Sequence, residues 1–165
     1  MAIRNIIKDG DEILHKKSRP VEQFDEKLGQ LLDDMRDTMK DAEGAGLAAV
    51  QVGILRRVCV IDVGDGVIEL VNPQIVEISG EEEDLEGCLS FPGVWGLVTR
   101  PETVKVMAKN RHGNNIMVKG TGLKARALCH EIDHMNGVVF KSFISRFLNE
   151  KEVERYNRRK KKGGK

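Results

Sequence analysis

The chain has 165 residues, enough for one domain with a substantial core, and its 40% hydrophobic and 32% charged residues exclude a disordered or fibrous chain. The formal net charge of +1 hides an asymmetry: residues 151–165 carry eight Lys or Arg against two Glu, a net of +6, which leaves −5 on residues 1–150. Three cysteines, Cys59, Cys88 and Cys129, with no CxxC pair exclude a disulfide framework and a zinc ribbon, so a cysteine that matters here acts as a thiolate in a reducing compartment. The first fifteen residues, MAIRNIIKDGDEILH, hold no apolar run of signal-peptide length, and no later stretch approaches the ~18 apolar residues of a membrane span. A cytoplasmic protein without a membrane partner is therefore expected. Aromatics are only 4% of the chain, so the core must be mostly aliphatic.

In chain order, the run DEKLGQLLDDMRDTMKDAEG places Leu28, Leu31, Leu32, Met35 and Met39 at helical spacing, with Asp25 as cap and Gly44 as stop. Core packing explains this N-terminal helix fully. The small residues of GAGLAAVQVG follow. RRVCVIDVGDGVIELVNPQIVEI then alternates around Gly64, Asp65 and Gly66 and predicts a hairpin, with Pro73 placing part of its second strand at an edge or on a bulge. The acidic part of GEEEDLEGCLSFPGVWG reads as a solvated loop, because consecutive carboxylates point in different directions. GLVTRPETVKVMAKN and NNIMVKG alternate again and meet at Arg111, His112 and Gly113, a second hairpin signal. Thr121 to Asn136 predicts a helix with Gly137 at its C-terminal cap, and a last helix is expected over about Leu148 to Lys160. No internal repeat or interdomain linker interrupts the chain.

The second helix carries the chemistry, in ALCHEIDHMNG. Residues i and i+4 of an α-helix lie about 40° apart and one turn up, so His130 and His134 share a face and can present nitrogens to one metal. Glu131 lies about 100° round, poorly placed to ligate but within reach of a water that a metal has acidified. Leu123 and Ala127 extend the ligand stripe as an apolar wall, and Leu128, Ile132 and Met135 on the other side would pack into the body. A catalytic site of this kind takes three protein ligands. Phe140 stands where a metzincin places its third histidine, and Glu150, Glu152 and Glu154, the downstream carboxylates a thermolysin-like site would need, lie in the basic tail. His15 and His112 sit in charged or turn contexts. Cys88, between Gly87 and Leu89 at the end of an expected strand, is the better third ligand.

GAGLAAVQ (Gly44 to Gln51), EGCLS (Glu86 to Ser90) and HEIDH (His130 to His134) together resemble the three motifs of the peptide deformylases, in the same order and with similar separations. The resemblance covers nearly the whole chain, including VEQFDEKL, VNPQI and LVTRPETVKV. It implies an α+β fold in which a central HExxH helix is enclosed by antiparallel β-sheets, with an N-terminal and a C-terminal helix. Residues 1–147 would form the catalytic domain, and 148–165 a basic helix or tail of the same single domain.

The resemblance further implies one metal held by Cys88, His130 and His134, with Fe(II) in cells and Zn, Ni or Co possible in a purified sample. A thiolate-ligated Fe(II) site should lose activity in air, and Ni or Co should prevent that loss. The implied reaction is removal of the formyl group from formyl-methionine of nascent peptides. Glu131 would act as general base and acid toward the metal-activated water, with Gln51 and the Leu89 backbone N–H stabilising the oxyanion. Gly44, Gly46 and Gly87 would let an extended peptide approach, and Ala45, Leu123 and Ala127 would wall a slot for methionine. Glu43 and Arg100 resemble a linked Glu and Arg of the family. Cys129 and Met135 depart from the common Gln and Leu, and Cys129 and Cys59 read as packing residues.

The basic tail is either a solvated helix end or a contact for ribosomal RNA. A monomer is expected. Two other readings remain at this level: an HExxH peptidase cutting internal bonds, opposed by Phe140, and a non-catalytic RNA-binding protein with a structural metal, supported only by the tail.

Overall fold

The computed structural model describes residues 2–163, which form three α-helices and eight strands. Gly164 and Lys165, the end of the basic tail, lie outside the described residues. Helix α1 spans Glu26–Asp41, and the Asp25 carboxylate accepts the Leu28 N–H at 3.1 Å, which satisfies one of the four free donors of the first turn. The helix stops before Gly44. Ala42 caps it, Glu43 turns left-handed (φ 56°), and the N–H groups of Glu43 and Gly44 return to the carbonyls of Lys40 (3.1 Å) and Met39 (3.0 Å). Glutamate in the position glycine usually fills costs roughly 1 kcal/mol of backbone strain.

The strands are β1 (Gly46–Ala48), β2 (Val58–Ile61), β3 (Ile68–Ser79), β4 (Glu82–Glu86), β5 (Trp95–Arg100), β6 (Thr103–Lys109), β7 (Asn115–Thr121) and β8 (Arg146–Leu148). All ladders are antiparallel, in a five-stranded sheet of order β1-β2-β3-β6-β7 and a three-stranded sheet of order β4-β5-β8. Helix α2 (Leu123–Met135) packs against strands of both sheets.

The larger sheet is covered on both faces over β1, β2 and part of β3, and period-2 side-chain alternation explains how. Leu47, Val58, Val60 and Val71 meet Leu28, Leu31, Leu32, Met35 and Met39 of α1, whereas Ala48, Cys59, Ile61 and Leu70 meet Ala125, Leu128, Ile132 and Met135 of α2. All four residues of β2 are buried as a result. The α2 sides of β6 and β7 follow suit through Val104, Val106 and Val118, while Met107 and Met117, paired across the two strands, stay exposed.

The sequence expectations hold for both main helices, for the β2–β3 hairpin and for the β6–β7 hairpin. Both expectations for Pro73 hold: β2 pairs with β3 only over Ile68–Val71, so from Pro73 onward the strand has β6 on one side alone, and the register shifts between Val71 and Gln74, where Asn72 is left-handed (φ 51°) and its side-chain amide bonds both backbone groups of Val21. The acidic run is not a loop. Residues Glu82–Glu86 form edge strand β4, where charges also discourage pairing with another chain. GLVTRPETVKVMAKN is two strands in different sheets, divided at Pro101, which cannot donate to a ladder. Leu148 belongs to β8 and pairs with Trp95, so α3 begins later, at Glu150, and runs to Gly163. Tyr156 Oη donates to Asp84 at 2.7 Å and Lys160 pairs with the same carboxylate, which ties α3 to β4.

Candidate metal centre

Ten of the thirteen residues of α2 are buried, and four of those are polar: Arg126, His130, Glu131 and His134. Gly137 ends the helix as expected, left-handed at φ 74°, with the N–H groups of Gly137 and Val138 on the carbonyls of His134 (3.1 Å) and Asp133 (2.9 Å). A side chain at 137 would overlap the backbone of His15. This tight end fixes the turn that carries His134.

Cys88 lies two residues beyond β4 and faces that turn. Its Sγ is 3.3 Å from His134 Nε2, which is 3.2 Å from His130 Nε2, and the three atoms all lie within 4.8 Å of one another. Donors about 2.1–2.3 Å from a shared tetrahedral ion stand roughly 3.4–3.6 Å apart, so the cluster has the dimensions of a metal shell. Proton placement agrees. Glu86 Oε2 takes His130 Nδ1–H at 2.7 Å, which leaves the Nε2 lone pair aimed at the other two ligands. Burial, joined by the charge of Arg100, pushes the pKa of His134 well below that of free imidazole and keeps it neutral, the form a ligand must take.

Glu86 is the hub beneath the ligands. Burial alone would raise its pKa, but hydrogen bonds from His130 and Arg100 hold it down at about 2. Arg100 grips both its oxygens at 3.0 and 2.7 Å and reaches Asp133 at 2.6 Å, while Arg126 contacts Glu86 Oε1 at 3.0 Å and the carbonyls of Val98 and Glu82 at 2.8 Å each. Arg100 therefore pairs with Glu86 and Asp133, not with Glu43 as the resemblance implied. Sequence reading missed this network; its one local signal is Arg126, a single helical turn before His130.

Glu131 is 4% exposed, and its Oε1 has no hydrogen-bond partner among the described residues. Burial pushes its pKa up to about 7, the range suited to exchanging a proton at neutral pH. Its carboxylate occupies the space that a side chain at residue 46 would fill: a Cβ on Gly46 would come within 2.5 Å of Glu131 Oε2. Gly44 likewise leaves room for the Leu89 side chain. Gln51, in the 3-10 turn Ala49–Val52, is buried; its Oε1 accepts the Ala48 N–H at 2.9 Å and its Nε2 donates to Ser90 Oγ at 3.1 Å and faces Cys88 Sγ at 3.5 Å. The Leu89 N–H donates to no acceptor among the described residues. Cys129 and Cys59 are both buried, and desolvation raises the Cys129 thiol to about 11, as suits packing residues.

A pocket of about 580 Å³ opens onto this cluster. Gly44, Ala45, Gly46, Gln51, Gly87, Cys88, Leu89, Leu123, Ala127, His130 and Glu131 all line it, so every predicted site residue lines one pocket except His134, whose Nε2 is 3.2 Å from that of His130. Trp95 and Glu43 also line it, and the sequence reading gave neither a place there.

Two imidazoles and a buried carboxylate on one helix, with a cysteine sulfur from a neighbouring loop and an open pocket, define a metal-hydrolase type of site. The polypeptide deformylase family model matches residues 3–150. A peptide deformylase of Caldicellulosiruptor bescii is 56% identical over 93% of each chain, and one of Acetivibrio thermocellus is 56% identical over 98% of this chain and 95% of its own. Among solved structures, the peptide deformylase of Thermotoga maritima superposes with a TM-score of 0.85 at 41% identity, covering 87% of this chain and 98% of that one. The chain belongs to the polypeptide deformylase family, a family of metal-dependent enzymes that remove N-terminal formyl groups from nascent peptides.

Proposed function

We propose that this enzyme hydrolyses the formyl amide of formyl-methionine peptides with Glu131 as general base and acid, at a metal held by Cys88, His130 and His134. The observation that carries the reading is the convergence of those three donor atoms beside a buried, unpaired carboxylate. Bound there, the metal supplies Lewis-acid activation of water. Glu131 takes a proton from the attacking water and returns it to the departing amine, so that the C–N bond breaks to give formate and a free N-terminus. The Gln51 amide and the Leu89 N–H donate to the oxygen that becomes negative, a contribution of roughly 3 kcal/mol each. Ala45, Leu123 and Ala127 wall the methionine slot, and the peptide backbone runs extended past Gly44, Gly46 and Gly87. Glu86 orients His130 and, with Arg100 and Arg126, holds the ligand helix against β4 and β5.

Fe(II) is the metal that the family resemblance implies in cells; the donor set of one thiolate and two imidazoles suits Fe(II), Zn, Ni or Co alike, so any of the last three fits a purified sample. The working form is a cytoplasmic monomer, and residues 1–147 act with the C-terminal helix as one domain. No helix of the described residues is long and apolar enough to cross a membrane. The exposed cations of α3, such as Arg155, Arg158 and Arg159, support a salt-sensitive contact with the ribosome. Removing residues after Asn149, which leaves β8 intact, should weaken ribosome co-sedimentation at low salt, and unchanged binding rejects that contact.

Formate release from formyl-Met-Ala-Ser, set beside cleavage of an unformylated 20-residue peptide, tests the reaction. Formate from the first and no cleavage of the second is expected. The reverse pattern would establish an HExxH peptidase instead.

A further inference from the structure

A second concavity shares no lining residue with the catalytic pocket. It has a volume of about 660 Å³, within the range of small-molecule sites, and runs between residues 19–25, the start of α1, and residues 54 and 56. Val21, Leu28 and Leu31, all buried, and the half-buried Ile54 give it an apolar floor, and Arg19, Arg56 and Lys27 line it as exposed cations. The deformylation chemistry uses none of them.

The backbone sets Arg19 and Arg56 side by side. The Arg19 N–H donates to the Leu55 carbonyl at 3.1 Å and the Arg57 N–H to the Arg19 carbonyl at 2.9 Å, an isolated parallel bridge that roots both side chains on one face about 4.8 Å apart. Like charges so placed repel. Yet neither guanidinium, nor Lys27, has an ion pair among the described residues, and Arg56 Nη1 reaches only the Leu55 carbonyl, at 3.4 Å. Glu22 and Asp25 line the same groove, but Glu22 pairs with none of the three cations and Asp25 accepts the Leu28 N–H. The groove thus joins an apolar floor to three cations that lack a counter-charge.

We propose that this groove is a second ligand site, for a nucleoside diphosphate. The adjacent forks of Arg19 and Arg56 match phosphate oxygens in the two-pronged way that guanidinium favours, and a third cation, Lys27, suits a diphosphate rather than a single phosphate. The nucleoside lies on the floor of Val21, Leu28, Leu31 and Ile54, and its hydroxyl and amino donors meet Glu22 and the Gln23 amide. An acyl chain would leave those acceptors without partners, and a sugar phosphate would leave the floor bare. Because the cations are solvated, binding weakens with salt.

The test is calorimetric titration of the nickel-loaded full chain with ADP, GDP, pyrophosphate and glucose 6-phosphate. One ADP or GDP should bind per chain with a Kd below about 1 mM, tighter by about fivefold or more than pyrophosphate or glucose 6-phosphate. The Kd should rise about tenfold in Arg19→Gln and in Arg56→Gln, and Ile54→Glu should remove the advantage of the nucleotides over pyrophosphate. Formate release from formyl-Met-Ala-Ser should be unchanged in Arg19→Gln and Arg56→Gln, whose side chains are exposed, which shows that they fold. No saturable binding of either nucleotide, pyrophosphate bound as tightly as ADP, or a nucleotide Kd that survives both arginine variants, as binding at the catalytic metal would give, overturns the proposal. The comparison of ADP with pyrophosphate in the parent enzyme decides it even where a variant fails to fold.

Discussion

Helices α1 and α2 press on opposite faces of the same sheet, yet they are built on different terms. The buried face of α1 is chiefly aliphatic, and its two buried polar side chains are satisfied close by: Thr38 donates to the Asp34 carbonyl at 2.7 Å, and Asp34 takes Arg4 and Gln30. Helix α2 buries Arg126, His130, Glu131 and His134, and the partners of the first two, Glu86 and the Val98 carbonyl, come from the second sheet. Burying charge is tolerable only when it is paired or held by a metal. One helix is therefore stabilised by area removed from water, and the other trades stability for chemistry.

Substitutions can break that contrast, beginning with the largest effect. Met35, fully buried on α1 and remote from the pocket, should lose about 2–5 kcal/mol of unfolding free energy as Met35→Ala, read by urea denaturation. The kcat of the folded fraction should be unchanged. On the α2 side, Glu86→Gln should weaken metal binding by roughly 10–100-fold in a chelator competition, because His130 Nδ1–H then faces a neutral amide in place of the carboxylate that fixes its tautomer and raises its basicity.

The same carboxylate sets an acid limit. Its folded pKa of about 2 lies below the ordinary 4.5, so at low pH the unfolded chain binds more protons than the folded one. Its contribution is complete above about pH 4.5 and fades as pH falls towards 2. A pH series of urea midpoints should show that slope in the parent protein and a shallower one in Glu86→Gln. The smallest effect belongs to the α1 cap: Asp25→Ala should cost about 1 kcal/mol and leave metal affinity untouched.

The contrast also explains what could be read from the chain. Apolar periodicity made both helices legible, and the i, i+4 histidines with Glu131 between them needed only helical geometry. Gly137 was readable as a cap because its conformation is local. The acidic run at 82–86 was misread since its pairing depends on distant groups: β5 as ladder partner, Tyr156 and Lys160 for Asp84, Arg126 for Glu86. The three-residue strands β1 and β8 are too short to show a period, and Leu148 looked helical for that reason. The glycines at 44 and 46 were read as room for a peptide. The folded chain adds a second reason for them that the sequence did not show: a side chain at either position would meet Leu89 or Glu131.

The central claim is that Glu131 works beside a metal held by Cys88, His130 and His134. Its most direct test measures metal content and formate release together, after anaerobic purification, for the parent enzyme and Glu131→Gln. One metal per chain in both, with turnover lowered at least about 10²-fold in the variant, is the predicted result. Undiminished turnover in Glu131→Gln, or full activity in a parent enzyme free of metal, would contradict it.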